Sequence, residues 1–104
     1  MNDLNSLVLE GVVIGEPHEV EASQVLNFTI GSERFYKNEA GEGVTETSQF
    51  KVVAFNSMLK RLLKEGKGVR LVGRLKENKW TDKDGVAHSE LQIVAEHIEI
   101  KKTK

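Results

Sequence analysis

The stretch Gly68–Trp80, GVRLVGRLKENKW, decides how the rest of the sequence is interpreted. Its odd positions include the small or apolar residues Val69, Leu71, Gly73 and Leu75. Its even positions include the cations Arg70, Arg74 and Lys76. Period-two alternation predicts a strand with one face in a core and the other in solvent. Continued to the end of the stretch, this register puts Trp80 on the face of the cations.

A tryptophan beside cations favours a partner that is anionic and has flat rings. Bases on a phosphate backbone satisfy both conditions. The alternative is a strand with ordinary solvated cations and a tryptophan that caps the core. The stretch alone leaves both interpretations open.

The composition indicates one globular domain, residues 1–104, with 38% hydrophobic and 30% charged residues. The absence of cysteine excludes disulfides, cysteine-based zinc sites and thiol nucleophiles. The N-terminus lacks the features of a signal peptide, and no apolar run reaches the roughly 18–20 residues that cross a bilayer. We therefore expect a cytoplasmic protein without a membrane partner.

The charges are unevenly distributed along the chain. Residues 1–50 carry two cations and nine carboxylates, a net charge of −7, whereas residues 51–83 carry ten cations and three carboxylates, a net charge of +7. The total of −1 conceals this asymmetry. The basic third contains Gly68–Trp80, which adds moderate support for an anionic partner.

Alternation and turn residues predict five strands. They cover Asn5–Ile14, Val25–Tyr36, Thr45–Phe55, Gly68–Trp80 and Ser89–Ile100. Pro17 is expected to close the first strand, and Asp84-Gly85 to turn the last hairpin. Phe35 and Tyr36 are adjacent, so one can join the core while the other faces outward.

Between the third and fourth strands the period changes to that of a helix. Met58, Leu59, Leu62 and Leu63 have helical spacing, and Gly66 is expected to end the helix. Five strands with one short helix in this position predict an all-β OB-fold, a Greek-key barrel, with the helix as a plug at one end. This fold binds oligonucleotides or oligosaccharides and also mediates protein contacts, so it does not settle function.

Nothing in the sequence indicates an enzyme. His18, His88 and His97 have no metal-binding spacing, and the carboxylates form no defensible catalytic pair. We expect no catalytic residues, metal or cofactor.

Aromatic residues and cations recur together on several strands. A groove that combines the two holds single strands without reading their sequence. The predicted binding residues are Arg34, Tyr36, Lys51, Phe55, Arg70, Arg74, Lys76, Lys79 and Trp80.

Over almost its whole length the chain resembles the bacterial single-stranded DNA-binding protein family. The resemblance is carried by Asn5–Gly11, Gly15–Pro17, Asn27–Ile30, Val52–Phe55, Gly73–Lys76, Lys79–Gly85 and Ile93–Ile98. It implies base stacking at Tyr36, Phe55 and Trp80. It also implies a homotetramer, with a homodimer as the fallback, that wraps single-stranded DNA in replication, recombination and repair at the nucleoid.

The chain departs from the family pattern at three places. Gln49 stands where some members carry a fourth stacking aromatic, and the loop at 16–24 is shorter and more acidic than usual. Family members usually continue into a disordered tail whose acidic tip recruits replication and repair proteins, whereas this sequence ends in lysines. It is either a core without its tail or a tail-less paralogue.

Two functions from different classes follow. The first is sequence-nonspecific binding of single-stranded DNA. The second is that of an OB-fold accessory protein, similar to the primosomal replication proteins, that acts mainly by bridging other proteins.

Overall fold

A computed structural model describes residues 2–20, 24–55 and 61–101 of the chain. Its strands are β1 (Leu7–Glu19), β2 (Leu26–Lys37), β3 (Gly43–Ala54), β4 (Gly68–Thr81) and β5 (Ala87–Ile100). They close into a barrel in the order β1-β2-β3-β5-β4. The predicted all-β OB-fold barrel is thereby confirmed. No helix in the described ranges is long and apolar enough to span a membrane.

The barrel interior is filled by alternate residues of the strands, as the period-two pattern predicts. The fully buried residues on β4 are Val69 and Leu71, at the odd positions of the stretch that opened the sequence analysis. Leu75 continues the pattern but is 45% exposed. The pairing of β1 with β4 ends at Leu7 and Gly73, so Leu75 lies beyond the closed part of the barrel.

The described residues between β3 and β4 contribute to the barrel core. Residues 56–60, where the predicted helix begins, lie outside the described residues, and no α-helix is present in residues 61–66. Leu63 is nevertheless fully buried in the core, as expected of a plug. Gly66 has a φ of 88°, which favours glycine, and its N–H donates to the Val13 carbonyl at 2.8 Å.

β1 is longer than predicted. It continues through Pro17 to Glu19 instead of ending at the proline. The pairing of β1 with β2 shifts register between Ile14 and His18, so Pro17 falls where the ladder is interrupted. A proline, which has no N–H to donate, is tolerated at such a bulge.

The β2–β3 hairpin extends past the barrel, with pairing from Leu26–Ala54 out to Lys37–Gly43. Phe35 and Tyr36 lie on this extension, and neither joins the core. The sequence pattern allowed one of them to be buried, but within the described part of the chain no core layer lies behind this end of the hairpin.

Gly73 is required by a close approach between β4 and β5. A Cβ at this position would lie 2.3 Å from the Val94 carbonyl oxygen, whereas a Cβ at Gly68, on the same strand, meets nothing closer than 3.6 Å.

We expect Gly73→Ala to lower the free energy of unfolding by about 1–3 kcal/mol, as overpacking does. Gly68→Ala is the matched control and should leave it nearly unchanged. Urea denaturation measures both, and equal stability of the two variants would contradict the close approach.

Candidate nucleic-acid interface

The outward-pointing side chains of β2, β3, β5 and β4 form one polar surface, which we call the outer face. Residues directly opposite each other on paired strands share a face, and three such pairs define it: Thr29–Lys51, Lys76–Gln92 and Trp80–His88. A cavity of about 390 Å³ opens on this surface. Its lining includes Asn27, Thr29, Lys51, Glu90 and Gln92.

An ion pair crosses the outer face where β3 meets β5. The Nζ of Lys51 lies 2.9 Å from an Oε of Glu90, and the Gln92 amide donates to the other Oε at 3.4 Å. The hydrogen bond from Lys51 is the main reason that the pKa of Glu90 lies below its ordinary value. At neutral pH Glu90 is therefore an ionised carboxylate beside a predicted phosphate-binding cation.

Most of the other predicted cations also have carboxylate partners. Arg70 contacts Glu10 at 3.1 Å, and Lys101 contacts the same oxygen at 3.4 Å. These two cations lower the pKa of Glu10, with the Lys101 hydrogen bond the largest cause. Two further pairs are Arg74–Glu96 at 3.9 Å and Lys79–Glu77 at 3.0 Å.

Among the described residues, Arg34 and Lys76 are the predicted binding cations that form no ion pair. Three of the ten cations in residues 51–83, Lys51, Arg70 and Arg74, thus pair with carboxylates from other parts of the chain, which compensates part of the positive charge of that segment.

The nine predicted binding residues do not all lie together. Arg70 is ten residues from Trp80 along β4, about 33 Å at 3.3 Å per residue. Lys79 is adjacent to Trp80, so its side chain points to the opposite face of the strand. Lys51, Lys76 and Trp80 share the outer face.

Arg34 and Tyr36 occupy the other face of the β2–β3 hairpin. Both lie an even number of residues from Ile30, so they share the face of this residue, which is buried in the barrel. Lys51 is on the opposite face, because it pairs with the outward-pointing Thr29. Phe55 directly follows β3 and is 57% exposed. Tyr36 and Trp80 are 39% and 43% exposed, so all three predicted stacking residues present ring surface to solvent.

Trp80 does not cap the core, which removes the alternative interpretation of the opening stretch. Its indole stacks on the His88 imidazole, with the ring centroids 5.3 Å apart and the planes at 17°. His88 Nε2 is in turn hydrogen-bonded to Asp82 Oδ2 at 2.7 Å.

The sequence analysis missed His88, Asp82 and Glu90 as parts of this surface. Counting outward from a two-residue turn at Asp84-Gly85 pairs Trp80 with Ser89, whereas in the structure Asp82 bonds Val86 across a loop one residue longer and Trp80 lies opposite His88. No group of three or more potential metal ligands clusters in the part of the chain that the structure describes.

Comparison with known proteins is consistent with this geometry. A model of the single-strand binding protein family matches residues 4–101. A single-stranded DNA-binding protein of Aquifex aeolicus is 31% identical over 103 residues, which cover 93% of this chain and 69% of that protein.

Two solved structures have closely similar folds. One, a Plasmodium falciparum SSB in complex with ssDNA, has a TM-score of 0.79 at 20% identity and covers 98% of both chains. The other is a deletion mutant of the Thermus aquaticus single-stranded DNA-binding protein, with a TM-score of 0.80 at 25% identity. That match covers 95% of this chain and 51% of the Thermus chain. By the extent of the family match and the identity to the Aquifex protein, this chain belongs to the single-strand binding protein family.

Proposed function

We propose that the chain binds single-stranded DNA without sequence preference, as a non-catalytic component of replication, recombination and repair at the nucleoid. The observation that carries the proposal is the exposed Trp80 indole, which shares the outer face with Lys51 and Lys76. The chain that carries this surface belongs to the single-strand binding protein family. The name of the Aquifex relative and the DNA in the Plasmodium complex support the same ligand.

Stacking supplies most of the proposed affinity. Each base on an aromatic side chain contributes about 1–3 kcal/mol, whereas an exposed ion pair contributes about 0–1 kcal/mol. We assign stacking to Trp80, Phe55 and Tyr36. Because Tyr36 lies on the other face of its hairpin, a strand that reaches all three must pass around the edge of the protein.

The cations contribute in two groups. Lys76 and Arg34 form no ion pair among the described residues and can contact phosphates directly. The paired cations, Lys51, Arg70, Arg74 and Lys79, reach a phosphate only by leaving a carboxylate. The family match favours this function over that of a protein-bridging accessory.

Trp80 allows the proposal to be tested directly, since it is the only tryptophan in the chain. Oligo-dT should quench its emission strongly, and double-stranded DNA much less. Trp80→Ala should weaken oligo-dT binding by about 1–3 kcal/mol, and Trp80→Phe should recover part of the loss. Fluorescence titration of the wild type and anisotropy of labelled oligo-dT for the variants provide the measurements. A bridging protein would show weak binding to both nucleic acids and no quenching.

The Lys51–Glu90 ion pair should reduce the salt dependence of binding. When a phosphate binds Lys51, a counterion leaves the DNA, but Glu90 loses its partner and takes up a counterion from solution. The net number of counterions released is therefore small. Glu90→Gln frees Lys51, and we expect tighter binding and a log–log salt slope steeper by about 0.7, the value for one phosphate contact. Titrations at several salt concentrations measure the slope.

Glu65→Gln is the matched control for this variant. It removes the same charge at an exposed residue outside the strands that forms no ion pair among the described residues, so neither affinity nor slope should change. An unchanged slope in Glu90→Gln would show that Lys51 does not contact phosphate.

We also propose self-association, as a homotetramer or at least a homodimer, through the outward-pointing side of β1. Val8, Val12 and Ile14 are 66%, 45% and 39% exposed there, and Val8 pairs with Val72 of β4. Val12 and Ile14 are neighbours on this side, and Glu10 separates them from Val8; exposed apolar residues edged by charged ones indicate a surface that a partner covers.

Light scattering tests the assembly. The wild type should have the mass of a tetramer or dimer at tens of micromolar, and Val8→Glu should reduce it because a carboxylate would be buried in the interface. Val86→Glu, at an exposed apolar residue of the β4–β5 turn, is the control and should leave the mass unchanged. A monomeric wild type would rule out this assembly.

A further inference from the structure

Trp80 is held on one side before any ligand arrives. The indole on β4 and the imidazole of His88 on β5 come from directly opposed residues, with centroids 5.3 Å apart and planes at 17°. Near-parallel rings at this distance are a favourable arrangement of two aromatic groups. His88 therefore covers the face of the indole that is turned toward β5.

His88 is itself fixed to the turn of the hairpin. Its Nε2 is 2.7 Å from Asp82 Oδ2, while the Asp82 Oδ1 accepts the backbone N–H groups of Asp84 and Val86, each at 2.9 Å. These contacts, with His88 first, lower the pKa of Asp82, so the carboxylate is ionised at neutral pH. The imidazole is thus connected through one carboxylate to the backbone of a tight turn.

In the part of the chain that the structure describes, no second ring stacks on the opposite face of the indole. Pairing between β1 and β4 ends at Leu7–Gly73, and the Asn5 side chain extends the contact by bonding the N–H and the carbonyl of Leu75. Past Leu75, within the described ranges, β4 pairs only with β5. The indole face turned away from β5 accordingly lies over an unpaired strand edge.

We propose that His88 is a positioning residue for base stacking: anchored by Asp82, it holds the Trp80 indole in place and leaves the opposite indole face for a base. The inference rests on the proposed function. Fixing a side chain before binding avoids the entropy lost in immobilising it on binding. That saving corresponds to about 2- to 12-fold in affinity for one side chain.

The neighbours of His88 allow its role to be isolated. Glu90, two residues along the same face of β5, is engaged with Lys51, and Asp82 is the carboxylate bound to the imidazole. His97 provides a matched control on the same strand, since it is exposed and contacts only Glu99, at 3.4 Å, among the described side chains.

The test uses His88→Ala, His88→Phe and His97→Ala. Affinity for fluorescein-labelled oligo-dT is measured by anisotropy of the label, and motion of Trp80 in the unbound protein by time-resolved anisotropy of its emission. His88→Ala should bind about 2- to 12-fold more weakly and show a larger fast component of indole motion. His88→Phe, which keeps an aromatic ring against the indole but cannot bond Asp82, should recover part of both, and His97→Ala should change neither. Thermal unfolding confirms that the variants are folded.

A second arm separates positioning from direct contact with DNA. In a Trp80→Ala background, His88→Ala should have no further effect on affinity. An effect that persists there, or a loss as large in His88→Phe as in His88→Ala, would overturn the positioning role. So would wild-type affinity and indole motion in His88→Ala. A wild type that does not bind oligo-dT would instead overturn the proposed function, and the positioning role with it.

Discussion

The candidate interface depends on the short parallel pairing between β3 and β5. Two residue pairs, Val52–Ile93 and Val53–Val94, close the barrel along this seam. Without them the two hairpins, joined through β1, would form an open sheet with β3 and β5 at opposite edges, and Lys51 would not meet Glu90, 39 residues away in sequence. The buried side chains of Val52 and Ile93 stabilise the seam from inside, while the ion pair crosses it on the outside.

This arrangement changes the relative importance of charge and stacking. Three cations from the basic middle of the sequence, Lys51, Arg70 and Arg74, meet carboxylates of β1 and β5 in the folded protein, so part of its charge is compensated internally. In the described ranges, the only ring contact of the three predicted stacking residues is that of Trp80 with His88, on one face of the indole. We therefore propose that this interface holds bases more strongly than phosphates, and discriminates single strands, whose bases are accessible, from duplexes.

The local features of the fold were predictable because short-range patterns determine them. Alternation in Gly68–Trp80 identified β4 and its buried Val69 and Leu71, and Asp84-Gly85 identified the last hairpin. Features that depend on how strands distant in sequence pair with each other were not predictable from such patterns. The exposure of both Phe35 and Tyr36 depends on how far a hairpin extends past the barrel.

The candidate site also combines features that the sequence predicts with features that it does not. The resemblance to a family indicated Trp80, Phe55 and Tyr36, and the structure shows each of them exposed. Their assignment as stacking residues stays a prediction. The neutralisation of Lys51 and the stacking of His88 on Trp80 arise from contacts between strands, which composition and spacing do not encode directly.

The central claim is that bases, rather than phosphates, provide most of the affinity of the outer face. It is tested most directly by comparing oligo-dT with an abasic oligodeoxynucleotide of equal length, at one salt concentration. The two ligands carry the same phosphates, but the abasic one has nothing to stack. If at least two bases stack, at about 1–3 kcal/mol each, the abasic ligand should bind weaker by about 2 kcal/mol or more. Equal affinity for the two ligands would contradict the claim and identify the surface as an electrostatic one.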